Sequence, residues 1–276
     1  VGSEMCIRDR KRDLGKVRVG ASLGEGCSPV LHHGRIIIVR DHSGQSSIEV
    51  LEAATGQTVW KRTRDEKNAW ATPKIFTEDS ERTQVITAAS NFIRSYDLDT
   101  GEVIWQCSGL TGNVTPSPVI YNDMVICMSG YEGHSVMALK LDSKGDVSGS
   151  SAVVWSGDKG TPYIPSPLLF DDQLYFTQSN KGILTSLNVT TGEAIIERTR
   201  LPDIQNIYAS PVGANGHVYF AGRTGAIVVL KHTNELNVVA TNKLDDEFNA
   251  SPVPVGDCLY LRGRQYLYCI GENKDN

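Results

Sequence analysis

The sequence predicts an all-β propeller of four-stranded blades, and three observations carry that expectation. A Ser/Thr-Pro pair opening an apolar stretch recurs at Ser28-Pro29, Thr72-Pro73, Ser117-Pro118, Ser166-Pro167, Ser210-Pro211 and Ser251-Pro252, with proline spacings of 44, 45, 49, 44 and 41 residues. Four-stranded propeller blades repeat at about 40–50 residues. Between the prolines, short β-branched and aromatic runs are punctuated by Gly, Asn and Asp, with no sustained 3.6-residue pattern. That excludes helical repeats of similar length. Finally, a Thr-Gly turn followed by Trp holds one place in the repeat, at Thr55-Gly56…Trp60 and Thr100-Gly101…Trp105.

Each repeat reads as the same four strands. In the second, Pro73-Lys74-Ile75-Phe76 is the innermost strand, where a proline is tolerated because an edge strand can forgo one ladder donor. Gln84-Val85-Ile86-Thr87-Ala88-Ala89 and Phe92-Ile93-Arg94-Ser95-Tyr96-Asp97 are the second and third strands. A turn at Asp99-Thr100-Gly101 leads to Glu102-Val103-Ile104-Trp105, the fourth. The fourth repeat follows suit with Leu168-Leu169-Phe170, Gln173-Leu174-Tyr175-Phe176, Ile183-Leu184-Thr185-Ser186-Leu187-Asn188 and Ala194-Ile195-Ile196, placing Ile196 where other units carry Trp. Trp60, Trp105 and Trp155 are expected to wedge between neighbouring blades, each burying roughly 150–250 Å². The insertion Asp142-Ser143-Lys144-Gly145-Asp146 accounts for the 49-residue spacing better than a calcium loop, since it lacks the twelfth-position Glu.

Composition narrows the function classes. Hydrophobic residues make 40% and charged residues 21% of 276 positions, ordinary values for a folded chain. No apolar run approaches the ~20 residues of a membrane helix. A formal charge of -5 argues against nucleic-acid binding, which needs concentrated Lys and Arg. The six cysteines form no Cys-x-x-Cys pair, and Cys258 and Cys269, on either side of a hairpin, are expected as thiols. Gly20-Ala21-Ser22-Leu23-Gly24 matches a nucleophile elbow, yet Glu25-Gly26-Cys27-Ser28-Pro29 behind it suits an interblade loop rather than the required helix. No His-x-x-x-His pair suggests a metal, and His32-His33 reads as a solvated turn.

The Thr-Gly…Trp motif, its weaker copies at Thr191-Gly192 and Val153-Val154-Trp155, and the stretches Trp70-Ala71-Thr72-Pro73, Tyr208-Ala209-Ser210-Pro211 and Leu259-Tyr260-Leu261-Arg262-Gly263 resemble the pyrrolo-quinoline quinone (PQQ) repeat family of propellers. That family includes the lipoprotein propeller of outer-membrane protein assembly and, more distantly, quinoprotein alcohol dehydrogenases. The resemblance covers residues 11–276 and implies a periplasmic or secreted protein whose signal peptide is missing here. It also implies about eight blades, of which about six are visible. Residues 1–10 match nothing in the repeat and lack the apolar stretch of a secretory signal, so they read as a non-native tail.

Two readings of the ends stay open. Lys16-Val17-Arg18-Val19 can supply the missing fourth strand of the last unit and close a six-blade ring, since Val17 precedes Pro29 by 12 residues and Trp60 precedes Pro73 by 13. Alternatively, Lys11-Arg12 aligns with Lys61-Arg62 and the chain is the carboxy-terminal part of a larger ring, the reading the resemblance favours.

The resemblance implies either of two functions. The first is a non-catalytic extracytoplasmic scaffold that binds a protein or small ligand at its axial face, with no cofactor. The alternative is a PQQ-dependent dehydrogenase, whose active members hold PQQ over a tryptophan floor with calcium, a catalytic Asp and often a disulfide between adjacent cysteines. This chain has no Cys-Cys pair, and its calcium ligands and catalytic Asp cannot be placed. The candidate binding residues come from loops expected to meet on one face. Trp70 and Tyr208 precede first strands, and Asp41, His42, Asn91, His134, Asn180, Lys181, Arg223 and Arg264 sit between second and third strands. Aromatic and convergent polar groups suit a ligand pocket, and Lys181, Arg223 and Arg264 make an anion-attracting sector.

Overall fold

The computed structural model describes residues 10–20, 23–78 and 82–271. The first blade is β1 (Val30–His32), β2 (Arg35–Arg40), β3 (Ser46–Glu52) and β4 (Thr58–Arg64), antiparallel in sequence order. The second is β5 (Lys74–Glu78), β6 (Arg82–Ala88), β7 (Ile93–Asp97) and β8 (Val103–Cys107). The third uses β9 (Val119–Tyr121), β10 (Met124–Ser129) and β11 (Ser135–Lys140), then, past a two-residue strand β12 (Gly145–Asp146), β13 (Val153–Gly157). The fourth is β14 (Leu168–Phe170), β15 (Gln173–Thr177), β16 (Ile183–Asn188) and β17 (Ala194–Arg200). The fifth is β18 (Val212–Ala214), β19 (His217–Ala221), β20 (Ala226–Lys231) and β21 (Val238–Lys243). The sixth has three strands, β22 (Val253–Val255), β23 (Cys258–Arg262) and β24 (Leu267–Gly271). The described residues thus form six propeller blades.

The recurring Ser/Thr-Pro pair has a physical cause. The backbone N–H of Ser28 donates to Thr72 Oγ1 (3.1 Å), that of Thr72 to Ser117 Oγ (3.2 Å), Ser117 to Ser166 (3.0 Å), Ser166 to Ser210 (2.9 Å) and Ser210 to Ser251 (3.0 Å). Each hydroxyl therefore satisfies one backbone donor of the preceding blade. Unpaired buried donors are costly, so this chain of bonds locks successive innermost strands together.

The core lies between blades. Each of the five buried apolar clusters joins one neighbouring pair, from Ile37, Val50 and Trp60 with Val85 and Tyr96 at the first interface to Ile227 with Phe248 and Leu261 at the last. The tryptophans hold one register position, opposite the third-strand residue next to a β-bulge: Trp60 faces Val50, Trp105 faces Ser95 and Trp155 faces Ala138. Trp60 Nε1 donates to Leu98 O (2.6 Å) and Trp155 Nε1 to Val189 O (3.0 Å), both in the next blade. Their rings lie on glycines of that blade's turn. A Cβ at Gly101 would come within 2.6 Å of Trp60, one at Gly192 within 2.6 Å of Trp155, and both glycines have φ above 70°. Only glycine meets both demands. Trp105, fully buried, instead donates to Gln84 Oε1 (3.2 Å), and Gln84 Nε2 reaches Leu141 O of the third blade (3.0 Å).

Three sequence expectations change. The 142–146 insertion does more than lengthen a loop: β12 pairs in parallel with β8, Gly145 opposite Trp105, and adds a fifth strand to the outer edge of the second blade. Residues 16–19 form no strand beside β24. Arg18 O accepts from Ser43 N (2.8 Å), and Arg40 Nη2 donates to Gly15 O (2.7 Å), so this segment lies against the first blade. The elbow-like Ala21 and Ser22, and residues 1–9, lie outside the described residues. His32 is in β1 rather than a solvated turn, and among the described residues its buried Nε2 has no hydrogen-bond partner.

Candidate axial binding site

One face is built by backbone bonds between the loop joining second and third strands and the connection between blades. Ser179 N donates to Thr161 O (2.8 Å) and Tyr163 N to Ser179 O (3.0 Å). Farther round, Ile207 N donates to Asn180 O (2.9 Å), Arg223 N to Asn206 O (2.8 Å), Phe248 N to Arg223 O (3.1 Å) and Arg264 N to Glu247 O (2.9 Å). These bonds run from the third blade to the sixth and bring Asn180, Lys181, Tyr208, Arg223 and Arg264, distant in sequence, onto neighbouring loops.

The side chains of that arc form an aromatic and basic sector. Tyr131 and Tyr163 pack as a tilted ring pair with centroids 4.6 Å apart, and Tyr131 is 53% exposed. Burial pushes the Tyr163 phenol up, and the Tyr131 and Tyr208 phenols push it the same way. The Arg223 guanidinium lies over the Tyr208 ring, 4.9 Å from its centroid. Such cation–π contacts are worth roughly 0.5–1 kcal/mol at exposed sites. Arg264, exposed, faces Glu247 Oε2 at 3.7 Å, which offsets part of its charge.

Other predicted positions hold loops in place. Asp41 accepts both Arg64 Nε (2.8 Å) and Nη2 (3.0 Å), and these side chains are 2% and 0% exposed. Arg64 Nη1 also donates to Thr87 Oγ1 (3.0 Å) and Tyr96 Oη (2.6 Å) of the next blade. Beside it, Glu66 accepts Asn91 N (2.9 Å), Phe92 N (3.2 Å) and Arg94 Nη1 (2.7 Å). Burial pushes the Glu66 carboxyl up, outweighing the Asn91 N–H bond and the two guanidinium charges that oppose it. The Asn91 amide itself donates to Asp65 O. His134 Nδ1 meets Thr161 Oγ1 (3.0 Å), and Asn180 Oδ1 accepts Ile164 N (3.2 Å). His42 is buried, with Nδ1 accepting Gly44 N (2.9 Å), and lines a cavity of about 410 Å³ with Asn68, Ser90, Asn113 and Glu132. Trp70 Nε1 donates to Gly24 O (3.0 Å), so its indole lies against the segment before the first blade rather than beside Tyr208.

The loop that carries His134 also brings Tyr131 to this face, as its place between second and third strands implies, whereas the sequence reading missed Tyr163 as a site residue and Arg64 as the keystone of the first interface. A signal for Arg64 existed. It follows Trp60 by four residues on one strand, so both face the core, and a core-facing Arg demands a buried carboxylate. Tyr131 and Tyr163 stand alone in the sequence and meet only through the pairing of their loops.

Among the described residues no three His, Cys, Asp or Glu side chains cluster to hold a metal ion, and the buried Asp41 is committed to Arg64.

Residues 44–275 match the family described as outer membrane protein assembly factor BamB. No curated protein matches the chain. Among solved structures, the computationally designed Ika8 protein is similar at a TM-score of 0.64 and 13% identity, covering 88% of this chain and 70% of that one. Quinohemoprotein alcohol dehydrogenase from Comamonas testosteroni is similar at a TM-score of 0.57 and 13% identity, covering 90% of this chain and 46% of that one. BamB from Moraxella catarrhalis gives a TM-score of 0.47 and 16% identity over 85% of this chain and 80% of that one. At such identities the likeness speaks for the fold alone.

Proposed function

This chain belongs to the family of outer membrane protein assembly factor BamB, and from that membership we propose that it is a non-catalytic extracytoplasmic scaffold that captures a partner at its axial face. The observation that carries the reading is the sector Tyr131, Tyr163, Tyr208 and Arg223. Tyrosines offer large, rigid, amphipathic contact area at low entropic cost. A guanidinium held over a ring is pre-oriented for a carboxylate. The matching partner is an extended protein segment, or a small ligand, that presents a planar group next to an acidic one. Support for an extracytoplasmic location is the family's outer-membrane role. No helix among the described residues is long and apolar enough to cross a membrane.

The alternative, a PQQ-dependent dehydrogenase, draws on the fold shared with the quinohemoprotein enzyme. The donor set described above favours the scaffold. Titration with PQQ and Ca²⁺, followed by absorbance and by dye-linked alcohol oxidation, separates the two. The scaffold reading expects no saturable binding and no turnover; tight binding with turnover overturns it. Binding of acidic, tyrosine-containing peptides, measured by fluorescence anisotropy, tests the face. Arg223→Gln should weaken binding several-fold, most at low salt where screening is least, with the unfolding temperature nearly unchanged. Binding indifferent to both Arg223→Gln and Tyr208→Ala would place the partner elsewhere.

A further inference from the structure

In the first, second, third and fifth blades the third and fourth strands slip register once, beside the wedge position. β16 and β17 slip twice, and the second slip is a bulge. Leu184 faces Thr199 and Ser186 faces Ile196, so Thr185 alone stands opposite both Glu197 and Arg198. Arg198 has a φ of 38°. The other described non-glycine residues with positive φ are Asn, Asp, His or Ser, and none of them lies in a strand. A long side chain inside a strand is strained in that conformation. Bulges occur next to binding and active sites, where they re-aim a side chain.

The bulge brings Arg198 to the interface of the third and fourth blades. A Cβ at Gly160 would lie 3.6 Å from Thr185 Oγ1 and 3.7 Å from Arg198 Cγ, so the two side chains meet over that glycine. Thr185 adds a second burden to the fold. It is 6% exposed, and among the described residues its buried Oγ1 has no hydrogen-bond partner. Both residues line a cavity of about 190 Å³. Its apolar wall includes Val136, Phe176, Leu187 and the half-buried Trp155. Asp158, Lys159 and Glu197 complete the polar wall. Arg198 Nη2 donates to Gln178 Oε1 (3.2 Å), and among the described residues none of the four charged groups is in an ion pair.

We propose that this cavity binds a free aliphatic α-amino acid of about the size of valine. Two bases and two acids in the wall match a zwitterion, with Arg198 and Lys159 for its carboxylate and Asp158 and Glu197 for its ammonium. Hydrogen bonds between such ionised groups are the strong ones. The Thr185 hydroxyl is a further donor to the carboxylate, and the hydrocarbon of the guest packs on Trp155 and Leu187. The guest is small, because about 190 Å³ equals roughly six waters of about 30 Å³, below the roughly 300–1,000 Å³ of drug-sized sites. A strained arginine and an unsatisfied hydroxyl at one spot both weaken the fold, and one shared ligand gives both a purpose. The site shares no residue with the axial sector, so it stands or falls independently of the proposed function.

The probes for the full chain are L-valine, 3-methylbutanoate, which lacks the ammonium, and 2-methylpropylamine, which lacks the carboxylate. Methyl chemical-shift mapping should confine the effect of valine to Val136, Thr185 and Leu187, with a dissociation constant of about 1 mM or tighter. Each analogue should bind at least about tenfold more weakly, having lost one set of charge-assisted bonds. Arg198→Gly suits the positive φ and removes the guanidinium. It should leave the unfolding temperature unchanged or higher and weaken valine binding at least about tenfold. Thr185→Val keeps the shape and removes the unsatisfied hydroxyl, so it should raise the unfolding temperature and weaken binding several-fold. If the variants fail to fold, the comparison of the three probes on the wild-type chain decides the matter. No binding of valine, shifts away from the cavity, an analogue that binds as tightly as valine, or binding undiminished in both folded variants would each overturn the proposal. So would a lower unfolding temperature in both variants, because the two residues would then serve the fold itself.

Discussion

The interface between the first and second blades and the one between the fifth and sixth share a register but are filled in opposite ways. At the first, Trp60 spans the gap to Leu98 O, and the Arg64–Asp41 pair is sealed beneath it with bonds to Thr87 and Tyr96. At the last, Ala240 takes the indole's place and the buried cluster shrinks to Ala209, Ala221, Ile227, Phe248 and Leu261. In a repeat array, stability is nearly a sum of unit and neighbour terms. One small side chain at the wedge position therefore weakens one interface without disturbing the blade pattern. The sixth blade also exposes Leu267 (65%) and Ile270 (45%) on β24, an edge strand of the kind that invites pairing with another chain.

The largest effect should come from removing a wedge. Trp105→Ala deletes a fully buried indole and should cost about 3–5 kcal/mol in urea unfolding. The half-buried Trp155 should cost less. Arg64→Ala leaves Asp41 buried without its partner and should cost about 3 kcal/mol, near the low end for a broken buried pair. Trp60→Phe keeps most of the ring but loses the bond to Leu98 O, and about 1 kcal/mol is expected. The Asp97 turn gives a smaller, pH-dependent effect. Burial pushes its carboxyl up, but bonds from Thr100, Arg82 and Asp99 outweigh that and hold it below its ordinary 3.8. A depressed folded pKa stabilises above the unfolded value and is lost as pH falls through the folded one. The stability gap between wild type and Asp97→Asn should therefore be full near neutral pH and close below about pH 3.8. Smallest of all, Arg264→Gln should change stability by less than about 0.5 kcal/mol, because the pair with Glu247 is exposed.

Much of the blade plan was legible because its determinants are local and repeated. Each Ser/Thr-Pro pair bonds to its own copy one blade on, so the bond separations equal the proline spacings. The Thr-Gly…Trp motif likewise encodes a turn and its wedge together. What could not be read depends on contacts between unlike segments. β12 is a two-residue strand with no pattern of its own, defined only by its pairing with β8. Asp41 looked like an axial carboxylate because its partner lies 23 residues away on another strand. The Tyr131–Tyr163–Tyr208 grouping follows from loop pairing. The residue at the fifth blade's wedge position depends on the bulge, which sets whether Val239 or Ala240 stands opposite Val229.

Amide hydrogen exchange on the intact chain tests the central contrast most directly. Strands buried between wedged blades, such as Val125 and Cys127 of β10, should exchange only through the most global opening. Leu259 and Leu261 of β23, equally hydrogen-bonded within their blade but packed at the interface that carries Ala240 at the wedge position, should exchange at least about tenfold faster through local detachment of the sixth blade. Equal protection of β10 and β23 would contradict the account, because it would mean that the sixth blade is held as firmly without a wedge as the others are with one.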